Sequence, residues 1–279
     1  MNKMIIKEYN LDFSTMSDSD ITEWGRNIAK DNVILVRNQN LDEEGITRVC
    51  GKIGRLMKPK EFFMHPDYPA LYRVTNERKD GEKIGIFANK ELGWHSNGNG
   101  RDQGKFSCVS LYCVRTHEDS VTSFCDTRQA YIDLPDDIKK VVEDVDGLYK
   151  FENNTFYDLD SDDKELKMFE QSYDFPDGKV KPLVYTHPYT EEKGLYFPYH
   201  FIRKMWNRNF GQLSGSLDQK WLMDYLMDHV FQEKYIAHHT WEPGDFLFMD
   251  QYHSLHKRNA VTGDRLLYRL CLDYKWSFR

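Results

Sequence analysis

From residue 94 onward the chain breaks into short β-rich runs separated by turns, and this punctuation limits the fold more than any other feature. Residues 105–114, 121–125, 181–185, 235–241, 246–249 and 265–274 each read as a strand. Glu242-Pro243-Gly244-Asp245 is a turn between two of them. Two helical patterns interrupt the series. One follows Pro135, with Ile138, Val141, Val142 and Val145 spaced for a single buried face. The other covers 217–231 and carries Trp221, Leu222, Tyr225 and Leu226. Residues 152–180 are acidic and irregular, an excursion from the main sheet. Short strands with few helical excursions predict a mainly β protein with helical additions, built on a double-stranded β-helix, or jelly roll.

The first part of the chain has a different texture. Ile21, Trp24 and Ile28 lie on one face of a helix over 18–30, with Ser17 or Asp18 as N-cap. Val33-Ile34-Leu35-Val36 is a short buried strand. Asp42 then caps a second helix whose inner face holds Ile46, Val49, Cys50 and Ile53, with Gly54 near its end. The expectation is one domain over 1–279. Residues 1–93 form an N-terminal α/β layer and lid, and 94–279 form the jelly-roll core with an insertion near 130–180.

Length and composition narrow the function. A chain of 279 residues with 40% hydrophobic residues buries a sizeable core. Its net charge of -7, with scattered basic residues, argues against a nucleic-acid face. No apolar run reaches the ~18 residues of a membrane span. The first residues lack the apolar stretch of a signal peptide. Five cysteines with no C-x-x-C pair fit reduced core thiols, and a cytoplasmic protein is expected. A homo-oligomer is compatible with all of this.

The chemistry centres on Trp94-His95-Ser96-Asn97. A site of two imidazoles and one carboxylate on one face of Fe(II) leaves three positions open for reactants. His95 supplies one imidazole. A second imidazole is available downstream, at His253 or His256. The carboxylate position, two residues after His95, holds Asn97.

Five ordered segments together resemble the TauD/TfdA family of Fe(II)- and 2-oxoglutarate-dependent dioxygenases. They are 32–39 with its following helix, Trp94-His95-Ser96-Asn97, Thr122-Ser123-Phe124, 182–188 with Gly194-Leu195-Tyr196-Phe197, and a C-terminal set. That last set is 243–250, Leu255-His256-Lys257-Arg258 and Arg265-Leu266-Leu267-Tyr268-Arg269. The resemblance implies that His95, Asn97 and His256 form the metal site. It implies that Thr122 and Arg265 bind 2-oxoglutarate, and that Arg269 stands near co-substrate or substrate. A planar guanidinium suits a carboxylate because it offers two parallel donors. Arg265 and Arg269 share a strand face by their even spacing. His253 competes with His256, but a strand turns 253 and 256 to opposite sides, and the family's ligand precedes a basic pair as His256 does. His238 and His239 read as structural residues ahead of a strand. A small-molecule substrate and O2 are the implied partners.

Asn97 alters this picture. It offers a neutral carbonyl oxygen where the family has a charged one, so iron affinity falls and the site becomes more positive. An oxygenase with a weakened third ligand is the main expectation. A halogenase that accepts chloride at the vacated position and a non-catalytic metal- or 2-oxoglutarate-binding protein are the alternatives. Asn97-Gly98 and Asn99-Gly100 are sequences that deamidate readily, which at 97 would restore a carboxylate. Asp102 is a further candidate carboxylate. Phe62, Phe63, Tyr196, Phe197, Tyr199 and Trp206 are candidate pocket or core aromatics, and 77–91 reads as a mobile lid.

Overall fold

Alternation of side chains along the strands explains the architecture seen in a computed structural model of the chain. The structure describes residues 3–57, 64–85, 91–97, 106–151, 177–211, 213 and 218–274. The chain runs through β1 (Lys7–Tyr9), α1 (Asp18–Gly25), α2 (Asn27–Asp31), β2 (Val33–Val36), α3 (Glu43–Ile53), β3 (Gly54–Leu56) and β4 (Tyr72–Thr75). A hairpin of β5 (Arg78–Lys79) and β6 (Glu82–Lys83) follows, then β7 (Leu92–His95), β8 (Cys108–Arg115) and β9 (Val121–Asp126). Next come α4 (Thr127–Ile132), α5 (Asp136–Glu143), β10 (Val145–Tyr149), β11 (Lys179–Pro182), β12 (Val184–Thr186), β13 (Lys193–Leu195) and β14 (Ile202–Asn207). The chain closes with α6 (Gln219–Val230), β15 (Ile236–Thr240), β16 (Phe246–Asp250), β17 (Ser254–Arg258) and β18 (Leu266–Tyr274).

Two sheets face each other. The larger has the order β1-β2-β16-β8-β18-β3, with β4 also paired to β18. The smaller has the order β15-β9-β17-β7. This is the jelly-roll sandwich expected from the strand pattern. Val33 and Leu35, Val109, Leu111 and Cys113, Leu247 and Met249, and Leu267 and Cys271 point between the sheets. Their neighbours Ile34, Val36, Cys108, Tyr112, Phe246, Phe248, Leu270 and Leu272 point the other way, against α1 and α3. Both faces of the large sheet are therefore covered. That is why β8 and β18 read as nearly unbroken apolar runs.

The opening segment behaves as its pattern predicts. Ser17 Oγ accepts from the Asp20 N–H and Asp42 Oδ1 from the Gly45 N–H, so each caps its helix. The helix expected over 18–30 divides at Arg26 into α1 and α2. Asn32 then adopts φ 69°, which Asn tolerates better than most residues, and turns the chain into β2. The strand β2 is not a separate layer, because it pairs antiparallel with β16 inside the large sheet.

Several expected boundaries move. Val145 belongs to β10 rather than to the helix before it, since α5 ends at Glu143. The expected strand 181–185 is two strands, β11 and β12, interrupted at Leu183, which is fully buried. His238 and His239 lie within β15, not ahead of it. In the segment read from the sequence as a lid, β5 and β6 turn at Asp80-Gly81, both with positive φ as a type I′ turn requires. The lid's residues 86–90, the bulk of the acidic stretch (152–176), Phe62, Phe63, Asn99, Gly100, Asp102 and Gly98 fall outside the described residues.

Candidate active site

Three strands of the smaller sheet set the spacing of the site. His95 on β7 is the cross-strand partner of His256 on β17, and Phe124 on β9 pairs with the same His256. Two residues further along β17, Arg258 pairs with Thr122 on one side and Leu92 on the other. Three intervals of β7 therefore span what two intervals of β17 span, a bulge at Gly93-Trp94. The bulge turns Leu92 and His95 toward the same side, which simple alternation would forbid. Gly93 also admits a close neighbour: a Cβ there would stand 2.5 Å from His200 Nε2.

The two imidazoles lie with ring centroids 4.1 Å apart, tilted by 48°. His95 Nδ1 donates to the Gly93 carbonyl at 2.7 Å, which fixes the tautomer and leaves Nε2 with a lone pair. Burial pushes the His95 imidazole down to about 4, against the smaller opposing effect of the Gly93 hydrogen bond. Burial also holds His256 well below the ordinary histidine range, helped by the nearby His95 and Arg269. Both rings are thus neutral near pH 7, the form that binds a metal.

The cavity between the sheets encloses about 450 Å³, its open mouth included. His95, His256 and Thr122 line it together with Arg258, Arg265 and Arg269. The remaining lining is aliphatic, with Val109, Leu111 and Leu267 prominent. No acidic residue is among the lining residues described. Arg265 is only 1% exposed, and its Nη1 and Nη2 meet no hydrogen-bond acceptor. Its backbone N–H donates to Asn76 Oδ1, which pins the start of β18. Burial lowers the Arg265 pKa to about 10. Arg258 falls to about 9, first through burial and then through the charge of Arg265. Arg269 stacks its guanidinium 4.6 Å from the Tyr72 ring centroid.

Thr122 is prepared for a ligand. Trp241 Nε1 donates to Thr122 Oγ1 at 2.9 Å, so the threonine's own proton is left to donate elsewhere. Replacing Trp241 by Phe removes this restraint. One neutral hydrogen bond contributes about 1 kcal/mol. W241F should therefore raise the co-substrate KM several-fold with little change in kcat, as measured by initial rates across co-substrate concentrations.

Asn97 sits beside the histidines on a pinned backbone: its N–H donates to Gln251 Oε1 at 2.7 Å. Its Oδ1 is buried without a donor. It is not among the residues lining the cavity. Among the described residues no three His, Cys, Asp or Glu side chains gather as a metal site. The structure thus brings together His95, His256, Thr122, Arg265 and Arg269 in one cavity, and Asn97 is not among its lining residues.

The competing histidines are accounted for elsewhere. His253 is 1% exposed, against Gly194 and 5.1 Å from the His187 ring, and does not line the cavity. His187 Nδ1 accepts from the Tyr189 and Thr190 N–H groups, so its Nε2 donates to Asp250 at 3.1 Å. His239 is a structural residue, with its Nε2 2.9 Å from Asp245 Oδ2. Asp245 belongs to the Pro243-Gly244 turn, where Gly244 has φ 85°. His238 Nδ1 contacts Ser123 Oγ at 2.7 Å. Of the candidate aromatics, Tyr196 and Phe197 are core residues, and Tyr199 packs on Phe231.

Sequence reading missed Arg258, Asn76 and Trp241. Arg258 carried one usable signal, its two-residue spacing from His256 on a strand. The other two act through partners far away in sequence, and nothing local marks them.

The buried neutral histidines have a pH consequence. His95 and His253 both fall to about 4 through burial, from an ordinary value of 6.5. Between those values the unfolded chain binds protons that the folded chain does not. Stability is therefore full above pH 6.5 and declines as the pH falls toward 4. Each histidine contributes a slope of up to about 1.4 kcal/mol per pH unit. Urea midpoints of the metal-free protein at pH 7 and pH 5 should differ accordingly, and by less in H253F.

The family model for taurine catabolism dioxygenase TauD, TfdA matches residues 3–271. The chain is 26% identical over 275 residues to the alpha-ketoglutarate-dependent 2,4-dichlorophenoxyacetate dioxygenase of Burkholderia sp. (strain RASC), covering 91% of this chain and 86% of that protein. In fold it is similar to a taurine dioxygenase from Burkholderia xenovorans, with a TM-score of 0.71, 18% identity, and coverage of 98% of this chain and 88% of the other. It is also similar to AAD-2, solved with Mn(II) and N-oxalylglycine, with a TM-score of 0.73, 18% identity, and coverage of 100% and 98%.

Proposed function

This chain belongs to the taurine catabolism dioxygenase TauD, TfdA family, and we propose that it hydroxylates an unactivated C–H bond of a small molecule through a site built on His95, His256 and Asn97. It is a 2-oxoglutarate-dependent dioxygenase, with Fe(II) as cofactor and 2-oxoglutarate as co-substrate. The observation that carries the site assignment is Arg265. A buried guanidinium with two nitrogens lacking acceptors is costly unless a ligand supplies them.

The residues present fit both groups. His95 and His256 would hold Fe(II), each through a neutral imidazole nitrogen. Arg265 would take the distal carboxylate of 2-oxoglutarate, and the Thr122 hydroxyl would donate to it. Arg269, whose charge bears on both histidines, stands at the metal end and would face the substrate side. Together the bound Fe(II) and 2-oxoglutarate supply the oxidising power drawn from O2, with succinate and CO2 as by-products. The chain's own work is placement. The Gly93 carbonyl orients His95, Trp241 orients the Thr122 hydroxyl, and the aliphatic lining keeps water from the reacting groups.

The test is a panel of carboxylate and other small-molecule substrates with iron-loaded protein and 2-oxoglutarate. Substrate-stimulated succinate with a product heavier by one oxygen atom supports the proposal. A product carrying chlorine would replace hydroxylation with halogenation, the alternative raised by the missing carboxylate at position 97. Succinate that no substrate stimulates would count against both.

A further inference from the structure

The cavity contains more positive charge at one end than a single carboxylate-binding arginine accounts for. Arg258 and Arg265 both line it, and both are at least nine-tenths buried. No acidic side chain is among the described lining residues. The register on β17 gives their end of the cavity a scale. Arg258 lies two residues beyond His256 on the same strand face, roughly 6.6 Å at ~3.3 Å per residue. That is about the reach of a five-carbon 2-oxo diacid held by its oxo end beside the histidines. Thr122 is the direct cross-strand partner of Arg258. The distal end of such a ligand would therefore meet the Thr122 hydroxyl and Arg258 from one sheet, and Arg265 from the segment leading into the other.

We infer that Arg258 is a second guanidinium for the distal carboxylate of the co-substrate, so that Arg258 and Arg265 grip it from two sheets. The inference rests on the reading of this cavity as the 2-oxoglutarate site. Two arginines around one carboxylate satisfy both of its oxygens with charged donors. They also set a length filter. A 2-oxo acid without the distal carboxylate leaves the Nη atoms of Arg265 without an acceptor and forgoes the contact with Arg258, and one with a longer chain cannot seat both ends. The consequence is strict selection for a five-carbon dicarboxylate, and both arginines contribute to it.

Selectivity provides the test. Dissociation constants for 2-oxoglutarate and for 2-oxopentanoate, which has the same carbon chain without the distal carboxylate, are measured anaerobically with Mn(II)-loaded protein. The wild type should prefer 2-oxoglutarate by a wide margin. R258M should shrink that preference tenfold or more, and R258K should fall between. A merely structural role would weaken both ligands equally and leave the ratio unchanged. A ratio within twofold of wild type in R258M, with the variant folded by circular dichroism, overturns the inference. Should R258M fail to fold, R258K carries the same comparison, and an unchanged ratio there overturns it equally. If wild-type protein binds neither acid, the reading of the cavity fails, and that outcome is distinct from an Arg258 variant that binds both as before.

Discussion

Replacing Arg265 by Met raises the 2-oxoglutarate concentration needed for half-saturation by roughly a hundredfold, while the ligand-free protein stays at least as stable as the wild type. The two effects have opposite signs because Arg265 does different things in the two states. Without a ligand its Nη atoms are buried and lack acceptors, so the folded protein carries an uncompensated charge. Methionine fills similar space and removes that cost. With a ligand, the same guanidinium becomes half of a buried charge pair. Truncating one partner of such a pair costs about 2–5 kcal/mol, and each 1.4 kcal/mol is tenfold in affinity. Thermal melts without 2-oxoglutarate and titrations with it separate the two terms. A variant that melts well below wild type and binds normally would show that Arg265 is a structural residue with an acceptor of its own.

Asn97→Asp should tighten Fe(II) binding by tenfold or more. The present site offers iron two neutral imidazoles, and no described residue adds a carboxylate. A carboxylate adds a full negative charge beside a divalent cation. Even at an effective dielectric of about 20, opposite unit charges 4 Å apart attract by about 4 kcal/mol, and desolvation removes only part of that. The surrounding arginines favour the ionised form of the new side chain. Competition with a chromogenic chelator measures the affinity directly, without any need for substrate. Unchanged affinity would mean that position 97 does not approach the metal, in keeping with its absence from the cavity lining. Tighter iron with faster succinate formation would mark Asn97 as a weakened ligand. Tighter iron with slower turnover would mean that the amide serves a purpose that a carboxylate obstructs.

Much of this protein is readable where local physics decides. The β2 strand, the Asp42 cap and the inner face of α3 follow from patterns a few residues long. So does the pairing of Arg265 and Arg269 on one face, because period-two alternation survives in the folded strand. The reading fails where two patterns coincide. Val142 and Val145 fit one helical face, yet the chain leaves the helix at Asp144 and uses Val145 as the first residue of β10. It fails again where a partner is remote. The Trp241 bond to Thr122 joins residues 119 apart, and the Asn76 contact with Arg265 joins residues 189 apart. Asn97 is the opposite case. Its identity is plain in the sequence, and its consequence depends on a metal that only three-dimensional placement can bring within reach.

The edge position of β7 has a consequence for when the two imidazoles can meet during synthesis. Among the described strands β7 has one neighbour, β17, and the two join residues 161 apart (256 − 95). As the chain leaves the ribosome, His95 emerges long before its partner exists. Closing so long a loop is slow and comes late. The paired imidazoles therefore cannot form until the aliphatic wall from β8 and Arg258 on β17 have also been made. By making this edge strand depend on one near the end of the chain, the topology brings the two imidazoles together only when most of the described cavity lining has been synthesised.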